Sequence, residues 1–252
     1  MASAPGNRVL ANAAALVELL AVTGPLNAAA IAERLGVARS SVYRLVEGAT
    51  AIGFTETSAD ARVGLTTRFL RLADAAAGAL TEWSGAERVL QRVADRTHQT
   101  VFLSVLRGDE SVCVAWARGR GIDLLSLRPG RALPLYAGAA GRSILAQSSD
   151  ALDDVLAGAP FEPFTAATLT SAAALADDVR SSREQGFTLS DEDVTAGIGA
   201  IAVPIPCAGA VASISAGGLA EEIRADREDI LVELRRAALD LAAVHGRDRA
   251  EG

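Results

Sequence analysis

The chain has 252 residues, half of them hydrophobic, a formal net charge of −7 and two cysteines. This length supports two domains with hydrophobic cores, and two cysteines are too few for a secreted disulfide scaffold. The first residues do not resemble a signal peptide, and every apolar run of membrane-spanning length is interrupted by glycine, proline or charge. We therefore expect a soluble, cytoplasmic protein.

The charge is distributed unevenly along the chain. All 24 basic residues are arginine, and residues 1–72 contain seven of them against five acidic residues. This part therefore has a balance of +2, and the remainder has −9. A net acidic chain argues against a nucleic-acid partner, but a mildly basic head on an acidic body fits a DNA-reading domain joined to a domain of another kind.

The stretch from Asn27 to Phe54 has the pattern of two short helices joined by a tight turn. Asn27 can cap the first of them, because its side-chain oxygen can accept a hydrogen bond from a first-turn N–H. Gly36 follows the last apolar position, where a helix end needs a residue that tolerates positive φ. A preceding helix is predicted over Val9–Val22. The apolar positions are Leu16, Leu19 and Leu20 in that helix, Ala28, Ile31, Ala32 and Leu35 in the next, and Val42, Leu45, Val46 and Ala49 in the last. This pattern predicts a helix-turn-helix.

The polar face of the last of these helices and the segment after it favour DNA binding. Arg44 can pair bidentately with a guanine edge, and neighbouring hydroxyls suit phosphates or bases. A helical hairpin with a solvated polar face is the alternative interpretation of the helices alone. Strands at Gly53–Thr57 and Arg62–Leu65, joined by a turn at Ser58–Ala61, predict a wing and favour DNA binding. The predicted DNA-contacting residues are Asn27, Arg39, Ser40, Ser41, Tyr43, Arg44 and Arg62.

The remaining sequence predicts a linker helix followed by an α+β domain. The linker helix runs from Thr67 to about Leu80, and a further helix begins near Trp83. Short, closely spaced strands with tight turns, flanked by helices, argue for an antiparallel sheet in an α+β fold. The predicted strands are Thr100–Leu106, Ser111–Trp116, Ile122–Leu127, Ile198–Ile205 and Ala210–Ser215. The predicted helices are Arg142–Gln147, Ala151–Leu156, Ala172–Gln185 and Leu219–Val244, and Phe187–Val194 is predicted as an acidic loop.

Four segments carry a family resemblance: LNAAAIAERLGVARSSVYRLVEGATAIGF at 26–54, LPLYAGAAGRSILA at 133–146, REQGFTLSDEDVTAGIGAIAVPI at 183–205 and SISAGG at 213–218. In these segments, and over essentially its whole length, the chain resembles the IclR family of bacterial transcriptional regulators. The resemblance implies a winged helix, a linker helix and a GAF-like effector domain that binds a small molecule, often an organic or aromatic acid. It also implies dimers that commonly pair into tetramers. The chain departs from the family pattern at Arg142, where lysine is usual, at Ser190, where some relatives have aspartate, and at Ala200, where some have cysteine.

A small-molecule site is predicted where small residues lead into the helix at Arg142. The turn Ala139–Gly141 would let a carboxylate approach the N–H groups of a helix N-terminus, which favour an anion. Serines on one face of the last strand can supply hydroxyls, and large aliphatic side chains can form apolar walls. Packing of these residues between helix and sheet is the alternative interpretation. The predicted effector-binding residues are Leu125, Leu127, Leu133, Ala139, Ala140, Gly141, Asp191, Ile198, Ala200, Ser213 and Ser215.

The sequence offers little for catalysis or metal binding. His98 and His245 are the two histidines, and no His/Cys/Asp cluster has metal-ligand spacing. A Gly-x-Ser-x-Gly elbow is absent from the sequence. His98 beside Cys113 across a hairpin could form a nucleophile pair, but buried hydrophobic packing is the default interpretation for Cys113 and Cys207. We therefore predict that the protein is not an enzyme and needs no metal or cofactor.

These observations predict three parts: a winged helix-turn-helix DNA-binding domain over 1–66, a linker helix over 67–82, and an effector-binding and oligomerisation domain over 83–252. The predicted function is a regulator that binds double-stranded operator DNA as a homodimer or tetramer and responds to a small organic or aromatic acid. Two alternatives remain open. One is a metabolite-sensing module or enzyme whose winged helix mediates protein contacts, and the other is a ligand-independent architectural repressor.

Overall fold

The computed structural model describes residues 8–78, 83–120 and 127–248, and these residues divide between two units, Met1–Ala79 and Leu80–Gly252. In the first unit the elements are α1 (Arg8–Thr23), β1 (Leu26–Asn27), α2 (Ala28–Leu35), α3 (Arg39–Ala51), β2 (Thr55–Thr57), β3 (Arg62–Leu65) and α4 (Arg68–Gly78). The three strands form an antiparallel sheet in the order β1-β3-β2. Helices followed by this small sheet make the first unit a winged helix-turn-helix, as the sequence predicts.

Local sequence signals place the two helices of the helix-turn-helix. The side chain of Asn27 accepts a hydrogen bond of 2.9 Å from the amide of Ala30, which caps α2. Gly36 ends that helix with a φ of 65°, a left-handed conformation that glycine adopts without steric cost. The predicted apolar stripes meet in one small core, whose buried members are Leu16, Leu20, Ile31, Ala32, Val42, Ala49 and Val63.

The second unit is an α+β fold built around one antiparallel sheet. Its described elements are α5 (Ala86–Thr97), β4 (Thr100–Arg107), β5 (Glu110–Ala117), β6 (Ala132–Pro134), α6 (Gly138–Gln147), α7 (Ser149–Leu156), α8 (Ala172–Gln185), β7 (Thr188–Asp191), β8 (Ile198–Pro204), β9 (Ala212–Leu219), α9 (Ala220–Ala225) and α10 (Arg227–Asp248). The strand order is β6-β5-β4-β9-β8-β7. The long crossover from β6 to β7 carries α6, α7 and α8, so these helices lie together.

Alternation along the strands sends side chains to two different layers. In β4, Val101 and Leu103 join the main core, which also contains side chains of α5 and α10. Between them, Phe102 points to the opposite face, where it clusters with Cys113 and packs beside Trp116. That opposite face is the side on which α6 packs, and a separate apolar cluster joins α6 to α7 and α8. Because successive side chains of a strand point to opposite faces, the residues that do not enter the main core face α6, and a site can form between the sheet and this helix.

Three predictions of secondary structure were wrong in the second unit. Phe187–Val194 is not only a loop, because it contains β7, whose Leu189 pairs with Ile201 of β8. The helix predicted from Arg142 begins four residues earlier, at Gly138, whose φ of 73° turns the chain into α6. The final helix predicted from Leu219 is divided at Asp226 into α9 and α10. The predicted strand Ile122–Leu127 falls almost wholly on residues 121–126, outside the described part of the chain.

Two of these differences have a physical reason. In β7 the buried positions are the hydroxyl residues Thr188 and Ser190, so the strand lacks the apolar alternation that predicts one. At the start of α6, Gly138 and Gly141 have poor helix propensity, but Gly141 lets the helix approach Leu135 closely. Strands β1 and β6 were not predicted, because two or three residues at a sheet edge are too few to show an alternation of apolar and polar side chains.

Candidate functional site: the exposed face of α3 and a cavity beside α6

In the first unit, α3 presents the predicted polar face to solvent. Ser40, Tyr43 and Arg44 are exposed, and Ser41 is half-buried. The opposite face of the helix is anchored by Val42, which is fully buried, and by Ala49. Within the described part of the chain, no carboxylate forms an ion pair with Arg39 or Arg44. Their charges are therefore available to an external anion or base edge.

Several predicted DNA-contacting residues come together on one groove of the first unit. Asn27 at the start of α2 and Arg39 and Tyr43 of α3 line it, together with the wing residues Thr57 and Ala61. The groove thus brings the helix N-terminus, the exposed helix face and the wing to one side of the unit. Such a combination offers phosphate-binding and base-reading groups side by side.

Arg62, which was also predicted to contact DNA, does not line this groove. It begins β3, and its guanidinium donates to the carbonyl of Pro25 through Nε at 3.1 Å and through Nη2 at 2.5 Å. These bonds tie the wing to the connection between α1 and β1. The guanidinium of Arg62 is therefore engaged within the first unit in this structure.

The second unit contains a cavity between its sheet and the N-terminus of α6, with a volume of about 80 Å³. Every described side chain on its wall is uncharged. Eight predicted effector-binding residues line it: Leu127, Leu133, Ala139, Ala140, Gly141, Ile198, Ala200 and Ser215. Nine more lining residues were not predicted: Phe102, Ser111, Ala137, Gly138, Ser190, Val194, Thr195, Gly199 and Gly217.

The remaining predicted effector residues lie elsewhere. Ser213 is fully buried two residues before Ser215 in β9, and its hydroxyl donates to the carbonyl of Ala140 at 3.2 Å, which ties α6 to β9. Asp191 does not line the cavity: its carboxylate pairs with Arg224 at 2.5 Å, and both side chains are nearly half exposed. Leu125 lies outside the described residues.

The unpredicted lining residues could have been found only through strand register. From the sequence, Phe102 is expected in the hydrophobic core. Because Val101 and Leu103 on either side of it face the main core, Phe102 must face the cavity. Gly199 lines the cavity with its backbone, because a Cβ there would point to the opposite face of β8, 3.0 Å from the Cα of Ala220 in α9. No motif marks either residue.

The N-terminus of α6 supplies the polar part of the cavity. No side chain caps the helix at Ala137, so the amides of Ala139 and Ala140 have no side-chain acceptor among the described residues. Gly141 permits the helix to approach the end of β6, because a Cβ there would lie only 2.7 Å from the carbonyl oxygen of Leu135. Unpaired first-turn amides carry a partial positive charge and favour an anion.

Behind the cavity wall lies a buried ionic cluster centred on Arg142. Its guanidinium pairs with Asp193 and donates to the carbonyl of Leu189 at 2.6 Å. Its Nε lies 2.8 Å from a carboxylate oxygen of Asp178, although the pair does not have hydrogen-bond geometry. Burial raises the pKa of Asp178 above its ordinary value, and the nearby guanidinium of Arg142 opposes this only in part. Asp193 also accepts from Ser190 and from the amide of Gly138.

The two residues considered for catalysis do not form a reactive pair. Cys113 is fully buried, and burial raises the pKa of its thiol to about 12, so it is a packed thiol and not a thiolate nucleophile. His98 ends α5 with a φ of 61° and is exposed. Among the described residues no group of His, Cys, Asp and Glu has the arrangement to hold a metal ion. No helix in the described ranges is long and apolar enough to cross a membrane.

A winged helix-turn-helix joined in one chain to an α+β unit with an internal cavity defines a transcriptional regulator with an effector domain. The chain matches the family model for the bacterial transcriptional regulator IclR C-terminal domain over residues 83–243, and that for the IclR helix-turn-helix domain over residues 9–58. The chain therefore belongs to the IclR family of bacterial transcriptional regulators.

Known proteins agree with this assignment. The HTH-type transcriptional regulator BhcR of Paracoccus denitrificans is 32% identical over 219 residues, 84% of this chain and 78% of that protein. The HTH-type transcriptional regulator XynR of Escherichia coli is 28% identical over 177 residues, 69% of this chain and 70% of that protein. The fold is shared with an IclR homologue of Microbacterium hydrocarbonoxydans crystallised with 4-hydroxybenzoate, with a TM-score of 0.77, 24% identity and coverage of 95% of this chain and 99% of that one.

Proposed function

We propose that the protein binds operator DNA through α3 and the wing, and that a small organic acid bound in the cavity changes its operator affinity. An effector can do so only if it binds two arrangements of the protein with different affinities. Because operator DNA is the target, the proposed location is the cytoplasm. The observation that carries the DNA-binding half is the exposed face of α3, where Arg44 lies without a described ion-pair partner.

The DNA-binding half is tested by replacing Arg44 with alanine. If Arg44 reads a base, specific affinity should fall by about 1–3 kcal/mol, roughly 5- to 150-fold. The measurement is a gel-shift titration on a duplex that the wild-type protein selects from random-sequence DNA. Arg180→Ala, on the exposed surface of α8, is the matched control and should leave the affinity unchanged.

A salt titration separates this function from a winged helix that contacts proteins. Neutralising phosphates releases counterions, so the logarithm of DNA affinity should fall linearly and steeply with the logarithm of salt concentration. A winged helix that serves protein contacts predicts no such salt-sensitive affinity. Unchanged affinity in the Arg44→Ala protein would remove this residue from the reading role, even if the salt dependence is steep.

The effector half rests on the match between cavity chemistry and a carboxylic acid. Apolar walls from Phe102, Leu127 and Leu133 can enclose a carbon skeleton, while the amides of Ala139 and Ala140 can receive a carboxylate. The homologue from Microbacterium hydrocarbonoxydans was crystallised with such an acid, 4-hydroxybenzoate. The cavity volume of about 80 Å³ is smaller than the dry cavity of roughly 150 Å³ that holds benzene in another protein. We therefore favour a compact acid, with an aromatic acid requiring the walls to move outward.

A thermal-shift screen with organic acids tests the effector half. A ligand that binds only the folded state at 100 times its Kd stabilises by about 2.7 kcal/mol and must raise Tm. Ala140→Val places a branched side chain at the cavity wall and should abolish the shift. A ligand-independent repressor predicts no shift with any acid in the wild-type protein.

We further propose that the protein forms a homodimer, or a tetramer of paired dimers. In the first unit, large apolar side chains of α1 and α4 lie in solvent: Val9 and Leu10 are 75% and 66% exposed, and Leu70 is 71% exposed. Burying such surface stabilises association by about 25 cal/mol per Å² before the entropy cost of binding. Light scattering coupled to gel filtration should give a dimer or tetramer mass, and Leu70→Glu should shift it toward the monomer.

A further inference from the structure

The charge balance around the cavity limits which acids it can hold. None of the described lining residues carries a charge, and residues 121–126, Gly-Ile-Asp-Leu-Leu-Ser, include no basic residue. The basic group next to the wall is Arg142, whose side chain is 3% exposed. Whether this guanidinium can serve a ligand therefore decides how much negative charge the cavity accepts.

Asp193 already occupies that guanidinium. Its side chain, 4% exposed, pairs with Arg142 and at the same time accepts from Ser190 and from the amide of Gly138, which is 3.2 Å away. Both Gly138 and Ser190 line the cavity, so the carboxylate of Asp193 lies directly behind the wall. The chain thus supplies its own anion at the first amide of α6 and leaves the amides of Ala139 and Ala140 to a ligand.

Asp178 is the second carboxylate near Arg142, and with it the cluster has no net positive charge. Asp178 approaches Nε within 2.8 Å, and burial favours its neutral form. With Asp178 neutral the cluster has no net charge, and with Asp178 ionised it has a charge of −1. The remaining attraction comes from the helix N-terminus, equivalent to roughly half an elementary charge. That is enough to orient one carboxylate, and a second one would be desolvated with only neutral hydroxyl groups as partners.

We propose that the cavity selects acids with a single carboxylate and rejects dicarboxylates of the same size, because Asp193 neutralises Arg142, the cation buried behind its wall in the described part of the chain. This selectivity rests on the proposed function, since it concerns the acid that would bind at the N-terminus of α6. Asp193 acts here as a specificity-determining residue through Arg142 and the wall, without being required to touch the ligand.

The test compares acids that differ in charge but hardly in shape. Oxamate and oxalate, malonamate and malonate, succinamate and succinate, and 4-carbamoylbenzoate and terephthalate each exchange an amide for a carboxylate. Titration calorimetry at pH 7.5 on the full-length protein should give at least about tenfold tighter binding of the monoanion in the pair that fits. Equal or tighter binding of a dicarboxylate by the wild-type protein overturns the proposal. Absence of binding by all eight compounds overturns the organic-acid effector itself, and the selectivity with it.

Two variants then assign the selectivity to Asp193. Asp193→Asn leaves Arg142 with an uncompensated charge, so the preference for the monoanion should fall at least about fivefold. Asp191→Asn makes the same chemical change two residues away, on an exposed pair with Arg224, and should keep the wild-type preference. A wild-type preference in the Asp193→Asn protein shows that desolvation alone selects, and overturns the role of Asp193. If circular dichroism shows that Asp193→Asn does not fold, Asp193→Ser replaces it, because it removes the same charge and its hydroxyl can still accept from the amide of Gly138; the same direction is expected and the same outcome counts against the proposal.

Discussion

Replacing Arg142 with alanine should destabilise the second unit by about 3–5 kcal/mol. The guanidinium is 3% exposed and bonds to Asp193, which is 4% exposed, and to the carbonyl of Leu189. Alanine removes both bonds and leaves Asp193 buried with one charge that nothing compensates. Asp178 contributes less to the loss, because its side chain is 29% exposed and water can replace the guanidinium.

Tryptophan fluorescence in a urea titration measures the unfolding free energy of the second unit alone. Both tryptophans, Trp83 and Trp116, belong to the second unit, so the unfolding of the first is silent. The control is Arg180→Ala on α8, whose ion pair with Asp177 has both partners more than 60% exposed and should be worth less than about 1 kcal/mol. If Arg142→Ala costs no more than Arg180→Ala, the buried cluster does not stabilise the fold as its burial implies.

Three further predictions follow from close approach and burial. Gly141→Ala should destabilise the second unit by about 1–3 kcal/mol in the same urea assay, because its Cβ would meet the backbone of Leu135 at 2.7 Å. Gly48→Ala, a helical glycine with no atom within 4 Å of the added Cβ, should stabilise the first unit by about 0.5–1 kcal/mol in thermal unfolding followed by circular dichroism; any loss contradicts the open space around it. Cys113, with a thiol pKa raised to about 12, should remain protonated at pH 8 and react with Ellman's reagent only after unfolding, whereas reaction at the rate of a free thiol would refute its burial.

The winged helix could be predicted from the sequence because each of its signals is local. Asn27 and Gly36 mark the ends of α2 by capping chemistry that acts within three residues. The stripes that contain Ile31 and Val42 need only a period of 3.6 residues to be recognised, and both side chains are fully buried. The pairing of β1 with β3 could not be predicted, because β1 has only two residues.

The cavity proposed as the effector site was predictable only in part, because its lining residues meet through long-range register. Leu133, Ala139 and Ser215 could be inferred from small residues, a helix start and strand alternation. Asp191 was expected in the site and Asp193 was not, although the two are neighbours in one acidic segment. What separates them is the path of the chain at the end of β7: Asp191 pairs with exposed Arg224, whereas Asp193 turns inward to Arg142. Sequence alone gives no means of distinguishing these two carboxylates.

The buried cluster has two effects that a double variant can separate. In Arg142→Met/Asp193→Asn both charges of the buried pair are removed, while the amide oxygen of the new Asn can still accept from Gly138 and Ser190. Replacing both members of a buried ion pair costs far less than breaking it, so the double variant should recover at least about half of the stability that Arg142→Ala loses. The replaced pair then contributes no net charge, as the Arg142–Asp193 pair does in the wild-type protein, so preference for monoanions should return to near the wild-type value although Asp193→Asn alone reduces it. Urea unfolding and calorimetry on the same preparations measure both. Preference that stays low in the double variant would mean that the carboxylate of Asp193 itself, and not the net charge behind the wall, rejects the second anion.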